Sequence, residues 1–301
     1  MSDALRHNAY VYDSTEEYIE RSVAFLREGL GAGDGAVVAN TRPGLAAMRE
    51  ALGIDAARVT FVDVSAAYTR PARTLASYHA VYVNELRSVG SLRAVADVQL
   101  GPEPGEWDEW VGYEAVFNRA FEHLPAWVMC SYDANRLPDR MLEGVWQTHT
   151  EVLTDDRLTD SDRFESPAEL LRGITGSPEP LPGLRSIPVG RTLESFREEL
   201  ARALVAEGVP EAKALDLLLA GTEIADNAIR YGGGVEDVRV GRDRGRFVCE
   251  VVDRGSGFDD PTAGYLPPRG GIAKGLWVAR QLTWRIEFFH SSRGYTARTW
   301  L

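Results

Sequence analysis

Short apolar runs alternate with amphipathic segments throughout the first half of the chain. The runs have the length of buried strands, and the segments between them repeat their apolar positions at helical spacing. The runs lie at 10–12, 36–39, 59–64, 92–97 and 126–130, and the helical segments at about 14–29, 42–52, 71–89 and 106–123. We therefore predict five β–α repeats that form a mainly parallel sheet covered by helices.

Polar residues lie at or just after the ends of these runs. Ligands of a parallel sheet bind beyond the carboxyl ends of its strands, which places Asn40, Asp63, Asp97, Cys130 and Asp133 near one edge. The segment after the first run reads Asp-Ser-Thr-Glu-Glu and lacks the glycines of a phosphate-binding loop. The first half therefore carries no nucleotide-binding motif.

The pattern changes after residue 165. Segment 173–183 has three prolines and three glycines, too many for a helix or a strand, and the charged segment 154–163 is predicted to be a solvated connector. We predict a first domain over 1–165, a linker over 166–183 and a second domain over 184–301. The second domain is predicted to be an α/β sandwich, with helices at about 193–207, 211–231 and from 274, and strands near 184–188, 237–241, 246–252, 285–289 and 295–301.

Composition and charge narrow the classes of function. The chain of 301 residues is 44% hydrophobic and 26% charged, as in ordinary globular proteins, and no run approaches the ~20 apolar residues of a membrane span. Two distant cysteines and an N-terminus without an apolar signal predict a cytoplasmic, reduced protein without membrane contact. A net charge of −12 and the absence of a Lys/Arg block disfavour direct nucleic-acid binding.

The first of three motifs in the second domain lies on the predicted helix at 211–231. Glu223 and Asn227 are one turn apart on the same face of that helix. An amide oxygen can ligate Mg²⁺, and a carboxylate can take a proton from an attacking hydroxyl. In isolation, such a pair is more often a solvated helix face.

The second motif, Asp253-Arg-Gly255-Ser-Gly257, ends an apolar strand. Its glycines permit a sharp turn and a close approach of the backbone to a flat base. Asp253 is then a partner for the amino group of adenine, although this sequence alone is more often an ordinary loop turn.

The third motif, Gly270-Gly271-Ile-Ala-Lys274-Gly275-Leu276, opens a helix. Free N–H groups and the positive end of the helix dipole attract phosphate there, and Lys274 adds a full charge. A glycine hinge before a helix is the commoner explanation for such a motif by itself. The order and spacing of the three motifs together predict one ATP site.

Together the motifs resemble the N box and the two glycine boxes of the GHKL (Bergerat-type) ATPase and kinase superfamily, over about residues 184–301. The nearest likeness is to the bacterial anti-sigma-factor serine kinases. The resemblance implies that Glu223 is the catalytic base, that Asn227 holds Mg²⁺ and that Asp253 reads adenine. It also implies further ATP-binding residues: Gly255 and Gly257 at the base, and Gly271, Lys274, Gly275 and Leu276 at the phosphates.

The chain departs from that superfamily in its second glycine box, where Lys274 stands at a position often held by a small or polar residue. The segment 258–269 that would cover ATP is short and contains three prolines, which favours a compact kinase over a gyrase-like ATPase. None of the five histidines lies in the His-Glu/Asp-x-x-x-Pro context of a phospho-accepting histidine. A self-phosphorylating sensor kinase is therefore disfavoured.

The first half resembles a MEDS domain, a sensory module of bacterial regulators, over about residues 5–155. The likeness rests on segments 7–12, 25–30, 130–133 and 146–149, and it implies sensing of a ligand on an α/β scaffold. His7, Cys130 and His149 would form a metal or redox site if the sheet brought them together. The favoured interpretation of Cys130 is a small buried hydrophobe, and that of Trp107, Trp110, Tyr113 and Phe117 is core packing.

We expect a cytoplasmic switch in which the sensory domain controls an ATP- and Mg²⁺-dependent serine/threonine kinase. Its expected partners are an anti-sigma antagonist protein, as substrate, and a sigma factor. Two alternatives stay open: a non-catalytic module whose partner binding is set by nucleotide, and a GHKL ATP hydrolase. The sequence leaves the signal, the identity of the partner and the formation of a homodimer undecided.

Overall fold

The computed structural model describes residues 4–66, 70–98, 107–154, 157–174, 181–190, 192–266 and 274–301. The chain divides into two compact units, Met1–Leu170 and Leu171–Leu301. The division falls within a helix, Pro167–Ile174, that lies in the segment predicted as a linker. None of the described helices combines the length and the apolar character needed to cross a membrane.

The first unit is built on a seven-stranded sheet flanked by helices. The strands are β1 (Arg6–Tyr12), β2 (Gly35–Asn40), β3 (Val59–Asp63), β4 (Leu92–Asp97), β5 (Ala126–Asp133), β6 (Glu151–Thr154) and β7 (Arg157–Asp160). The helices are α1 (Thr15–Ala32), α2 (Arg42–Leu52), α3 (Pro71–Glu85), α4 (Trp107–Phe121) and α5 (Asp139–Thr148), and α6 (Pro167–Ile174) is the helix within which the two units divide. The strand order is β3-β2-β4-β5-β1-β6-β7, parallel up to β6, which confirms the predicted mainly parallel α/β arrangement.

The end of this sheet corrects one prediction. Part of the segment 154–163, predicted as a solvated connector, forms β7, which pairs antiparallel with β6 at the sheet edge. Both ends of β7, Arg157 and Asp160, are exposed. Edge strands accept charged side chains because one side is not paired, so charge alone did not distinguish this strand from a loop.

The carboxyl edge of the parallel strands holds four of the five polar residues predicted there. Asn40 is aligned with Asp63 at the ends of β2 and β3, and Asp97 and Asp133 end β4 and β5. The prediction for Cys130 was wrong, because β5 continues for three residues beyond it. Cys130 therefore lies within the sheet and is buried.

The second unit is a five-stranded antiparallel sheet with helices packed on it. Its strands are β8 (Arg185–Ile187), β9 (Val235–Asp243), β10 (Arg246–Asp253), β11 (Arg285–Ser291) and β12 (Gly294–Trp300), in the order β11-β12-β10-β9-β8. Its helices are α7 (Leu193–Ala206), α8 (Glu211–Tyr231) and α9 (Gly275–Leu282). This is the predicted α/β sandwich.

Local sequence sets both ends of the helices around the predicted site. A capping box between Thr192 and Ser195 starts α7. Helix α8 ends at Gly232, after which Gly233 and Gly234 take φ values of +71° and +106° that disfavour other residues. The N–H groups of Gly232 and Gly234 both donate to the Ala228 carbonyl, at 2.9 and 3.0 Å.

Helix α8 is the central element of this unit. Its buried stripe includes Leu217, Ile224 and Ala228 and shares one hydrophobic core with Val238 and Phe247 of the sheet. The helical spacing of that stripe leaves the neighbouring face, with residues 223 and 227, only partly buried. The predicted site therefore lies on a helix whose orientation is fixed by the core.

Candidate nucleotide-binding site

Two polar side chains of α8 stand one turn apart beside its buried stripe. Glu223 and Asn227 are both partly exposed. Within the described part of the chain, neither side chain has a hydrogen bond or an ion pair, whereas the adjacent Asp226 pairs with Arg230 at 2.7 Å. The structure thus leaves one carboxylate and one amide on this face uncommitted to neighbouring side chains.

The beginning of α9 lies directly against Glu223. A Cβ atom placed on Gly275 would collide with Oε2 of Glu223, so the absence of a side chain at residue 275 creates the room for this carboxylate. Lys274 is the N-cap residue of α9 and its side chain is exposed. The first N–H groups of a helix lack intrahelical partners and attract anions. A carboxylate, a cation and a helix N-terminus therefore meet at this point.

Asp253 is the last residue of β10, after a shift of register between Val252 and Asp253, and lies beside Gly232 at the C-terminal end of α8. The N–H of Gly255 donates to Oδ1 of Asp253 at 2.7 Å, and the N–H of Arg254 donates to the Gly232 carbonyl at 2.9 Å. A Cβ atom on Gly232 would lie 2.6 and 2.7 Å from the two Asp253 carboxylate oxygens. Burial raises the pKa of Asp253, against the opposing effects of the Gly255 N–H and of His290.

The two glycines after Asp253 are required by packing within the unit. Gly257 has φ +66°, and a Cβ atom there would lie 2.6 Å from Cζ of Tyr295. A Cβ atom on Gly255 would lie 2.8 Å from the Cα of Gly232. These glycines therefore hold the turn close to β12 and to the end of α8, and their predicted contact with the base stays a prediction.

Arg280 is a residue of this region that the sequence did not reveal. Its guanidinium is buried, donates to the carbonyls of Ala263 and Ile286 at 2.7 and 3.2 Å, and lies 3.9 Å from the ring centre of Tyr265. It thus ties the segment after the second motif to α9 and β11. In the sequence, Arg280 looks like any polar residue of an amphipathic helix.

The third motif is only partly described by the structure. Gly271 lies outside the described residues. Leu276, predicted to bind the cofactor, packs against the core of the unit and closely approaches Gly264, whose φ is +80°. The observed contacts of Leu276 are therefore packing contacts.

Glu223 and Asn227 lie on α8, Asp253 lies beside Gly232 at its C-terminal end, and the start of α9 lies beside Glu223. Residues 223 and 232 are separated by about 13 Å along the helix axis, at 1.5 Å per residue. Asp253 stands at one end of this stretch and the start of α9 at the other, with Asn227 between them. The predicted acceptor for a base amino group, the predicted Mg²⁺ ligand and the predicted donors for phosphate therefore follow one another along α8.

Fold and site define the class of this unit as an α/β nucleotide-binding domain. Residues 190–299 match the family model of the histidine kinase-like ATPase domain. Residues 6–150 match the MEDS family, described as methanogen/methylotroph, DcmR sensory domain. The chain thus has a MEDS domain at its N-terminus and a histidine kinase-like ATPase domain at its C-terminus. Among curated proteins, none matches this chain.

The structure also brings together His7, Cys130 and His149, the three residues considered for a metal or redox site. A fourth residue, Glu114 of α4, joins them, and all four are buried. Sequence reasoning missed Glu114. The available signal was a carboxylate on a helix face that is otherwise aromatic and buried.

Asp253→Asn is expected to weaken ATP binding about 10- to 100-fold, since a hydrogen bond to a charged group contributes ~1.5–3 kcal/mol. The amide oxygen can still accept from the Gly255 N–H, so the turn is retained. Isothermal titration calorimetry with ATP and Mg²⁺ measures the change. Asp226→Asn is the control, because it removes a nearby carboxylate that is paired with Arg230. Equal losses in both variants would contradict a specific contact to Asp253.

Proposed function

We propose that this chain is a cytoplasmic regulatory protein in which the sensory domain controls an ATP-dependent serine/threonine protein kinase. The kinase domain transfers a phosphoryl group to an anti-sigma antagonist protein, and it also binds a sigma factor. The observation that carries this proposal is the Glu223 carboxylate, which lies against the start of α9 one turn from Asn227.

Each polar group of the site has a task in this reaction. Bound Mg²⁺–ATP supplies the phosphoryl group and neutralises charge on the phosphates. Asn227 offers its amide oxygen to Mg²⁺, and Lys274 with the N–H groups of α9 steadies the phosphates. Glu223 accepts the proton of the serine or threonine hydroxyl as its oxygen bonds to the γ-phosphorus and the bond to ADP breaks.

A protein substrate is supported by the surface beside the site. Leu215 and Leu219 lie one turn apart on α8 and are 58% and 55% exposed, and Ile229 continues the same face. This face adjoins the one that carries Glu223. Clustered exposed apolar side chains are typical of protein-binding surfaces, so a docked partner would place its hydroxyl near the carboxylate.

The test is incubation of the purified chain with γ-labelled ATP, Mg²⁺ and extract of its native cell. We expect an acid-stable phosphoserine or phosphothreonine on a separate protein. A heat-treated sample of the chain is the control and should not produce it. Tight ATP binding without any phosphoprotein would instead support a nucleotide-controlled binding module. Rapid release of phosphate without an acceptor protein would support an ATP hydrolase.

Gly275→Ala is expected to slow phosphoryl transfer by up to about 100-fold, because the added methyl group displaces the Glu223 carboxylate. The free energy of unfolding should change little, because the carboxylate that meets the added methyl group is the flexible end of its side chain. Gly173→Ala is the matched control, since a Cβ atom there meets no atom within 4 Å. The rate of phosphoryl transfer and the thermal unfolding curve are measured for both variants. An unchanged transfer rate in Gly275→Ala would argue against Glu223 as the catalytic base.

A further inference from the structure

Four buried side chains of the sensory domain converge on one point. His7 of β1, Glu114 of α4, Cys130 of β5 and His149, which follows α5, each offer one nitrogen, oxygen or sulfur atom, and these atoms lie within 4.8 Å of one another. Each of these residues is at most 4% exposed. We call these four residues the buried quartet.

The spacings within the quartet resemble those of a tetrahedral metal site. Nε2 of His7 lies 3.2 Å from Sγ of Cys130 and 3.8 Å from Oε2 of Glu114. Around zinc, with bonds of ~2.0–2.3 Å, neighbouring ligand atoms are roughly 3.3–3.8 Å apart. The side chains therefore need only small movements to enclose one ion.

The tautomer of His7 is fixed by a neighbouring amide. The NH₂ group of Asn118 donates to the Thr148 carbonyl at 2.7 Å, so its Oδ1 accepts from Nδ1 of His7 at 3.0 Å. The proton on Nδ1 leaves the lone pair of Nε2 directed toward Cys130 and Glu114. Metal-binding histidines have this type of hydrogen bond on their second nitrogen.

The tautomer of His149 is fixed in the same way, by a backbone carbonyl. Its Nδ1 lies 2.9 Å from the Val145 carbonyl and therefore donates to it. Its Nε2 is left as an acceptor, buried and without a hydrogen-bond partner among the described residues. A buried polar atom without a partner is uncommon in folded proteins, and a metal ion would satisfy it.

The charges of the quartet suit a divalent cation. Each histidine offers a neutral Nε2, because its Nδ1 carries the proton that is accepted by Asn118 or by the Val145 carbonyl. A thiolate from Cys130 and a carboxylate from Glu114 would balance the two charges of the ion. The complex would be neutral overall, which favours it in a site without contact with water.

We propose that Nε2 of His7, Nε2 of His149, Sγ of Cys130 and one carboxylate oxygen of Glu114 bind a single divalent transition-metal ion of the zinc type. A mixed set of nitrogen, sulfur and oxygen ligands selects borderline-soft ions over Mg²⁺ and Ca²⁺. The site would lie in the core of the sensory domain, between its sheet and α4. It is independent of the kinase proposal, because its ligands all belong to the first unit.

The test uses the full chain, freed of any histidine tag and purified from medium containing zinc. Elemental analysis should give one zinc per chain, and Co²⁺ loaded after chelation should give a thiolate-to-metal charge-transfer band. Cys130→Ser should lose the band, and Asn118→Ala should weaken zinc binding about 10- to 100-fold by releasing His7. Cys249→Ser and His290→Gln, which alter a cysteine and a histidine of the other unit, should keep full binding.

Circular dichroism checks that each variant is folded. If Cys130→Ser does not fold, the cobalt spectrum of the unaltered chain decides alone, since it reports thiolate coordination directly. A folded, unaltered chain that binds neither zinc nor Co²⁺ would overturn the proposal. Equal zinc affinity in the unaltered chain and in folded Cys130→Ser and Asn118→Ala would overturn it as well.

Discussion

Glu223→Gln is expected to abolish phosphoryl transfer, with a rate lowered by about 10²- to 10⁴-fold, the usual contribution of a general base. Glutamine has nearly the same shape as glutamate but cannot accept the proton of the attacking hydroxyl. ATP binding should be retained, because the Asn227 amide, the Asp253 carboxylate and the start of α9 are unchanged. The loss should therefore appear in the transfer step and not in the affinity for ATP.

Transfer to the proteins that the unaltered chain labels in native extract measures the rate, and calorimetry measures the affinity. Glu198→Gln is the control, because it removes an exposed carboxylate of α7 in the same unit. An undiminished rate of phosphoryl transfer by Glu223→Gln would show that Glu223 is not the catalytic base. Loss of ATP binding in that variant would instead show that the carboxylate acts in nucleotide binding.

Glu250→Ala is expected to lower the free energy of unfolding of the second unit by about 3–5 kcal/mol. Glu250 of β10 is fully buried and accepts hydrogen bonds from Arg298 at 2.7 Å and from Arg293 at 2.6 Å. Arg298 is itself 2% exposed. Removal of the carboxylate takes a hydrogen-bonded counter-charge away from a buried cation, which is far more costly than the loss of a surface pair.

Urea unfolding followed by circular dichroism measures this change. Glu236→Ala is the matched control, because Glu236 pairs with Arg254 on the exposed surface, where a pair is worth at most about 1 kcal/mol. A loss for Glu250→Ala no larger than that for Glu236→Ala would show that the buried pair does not stabilise the fold. Because β10 leads into Asp253, the same experiment with ATP added reports whether that strand also supports the site.

Patterns within single elements were predicted well from the sequence. Helix α8 begins at Glu211 and ends at Tyr231, as predicted, because its apolar stripe and its three following glycines are local signals. The relation between Glu223 and Asn227 also follows from helix geometry alone. Strand β7 was missed, because its charged residues are acceptable only at an edge that the sequence does not identify.

Contacts between distant residues were not predictable in this way. The approach of Gly275 to Glu223, the anchoring role of Arg280 and the pairing of Glu250 with Arg298 each join residues from different elements. Glycine, arginine and glutamate at these positions fit many local patterns. Their roles depend on which neighbour the fold supplies.

The sequence by itself determined the two α/β domains, the order of the nucleotide motifs and the face of α8 that carries them, because periodicity and glycine placement act over a few residues. Only the tertiary structure decided that α9 begins beside Glu223 and that Glu114 joins His7, Cys130 and His149 in one buried quartet. Side chains from separate strands and helices meet only after the sheets have formed and the cores have packed.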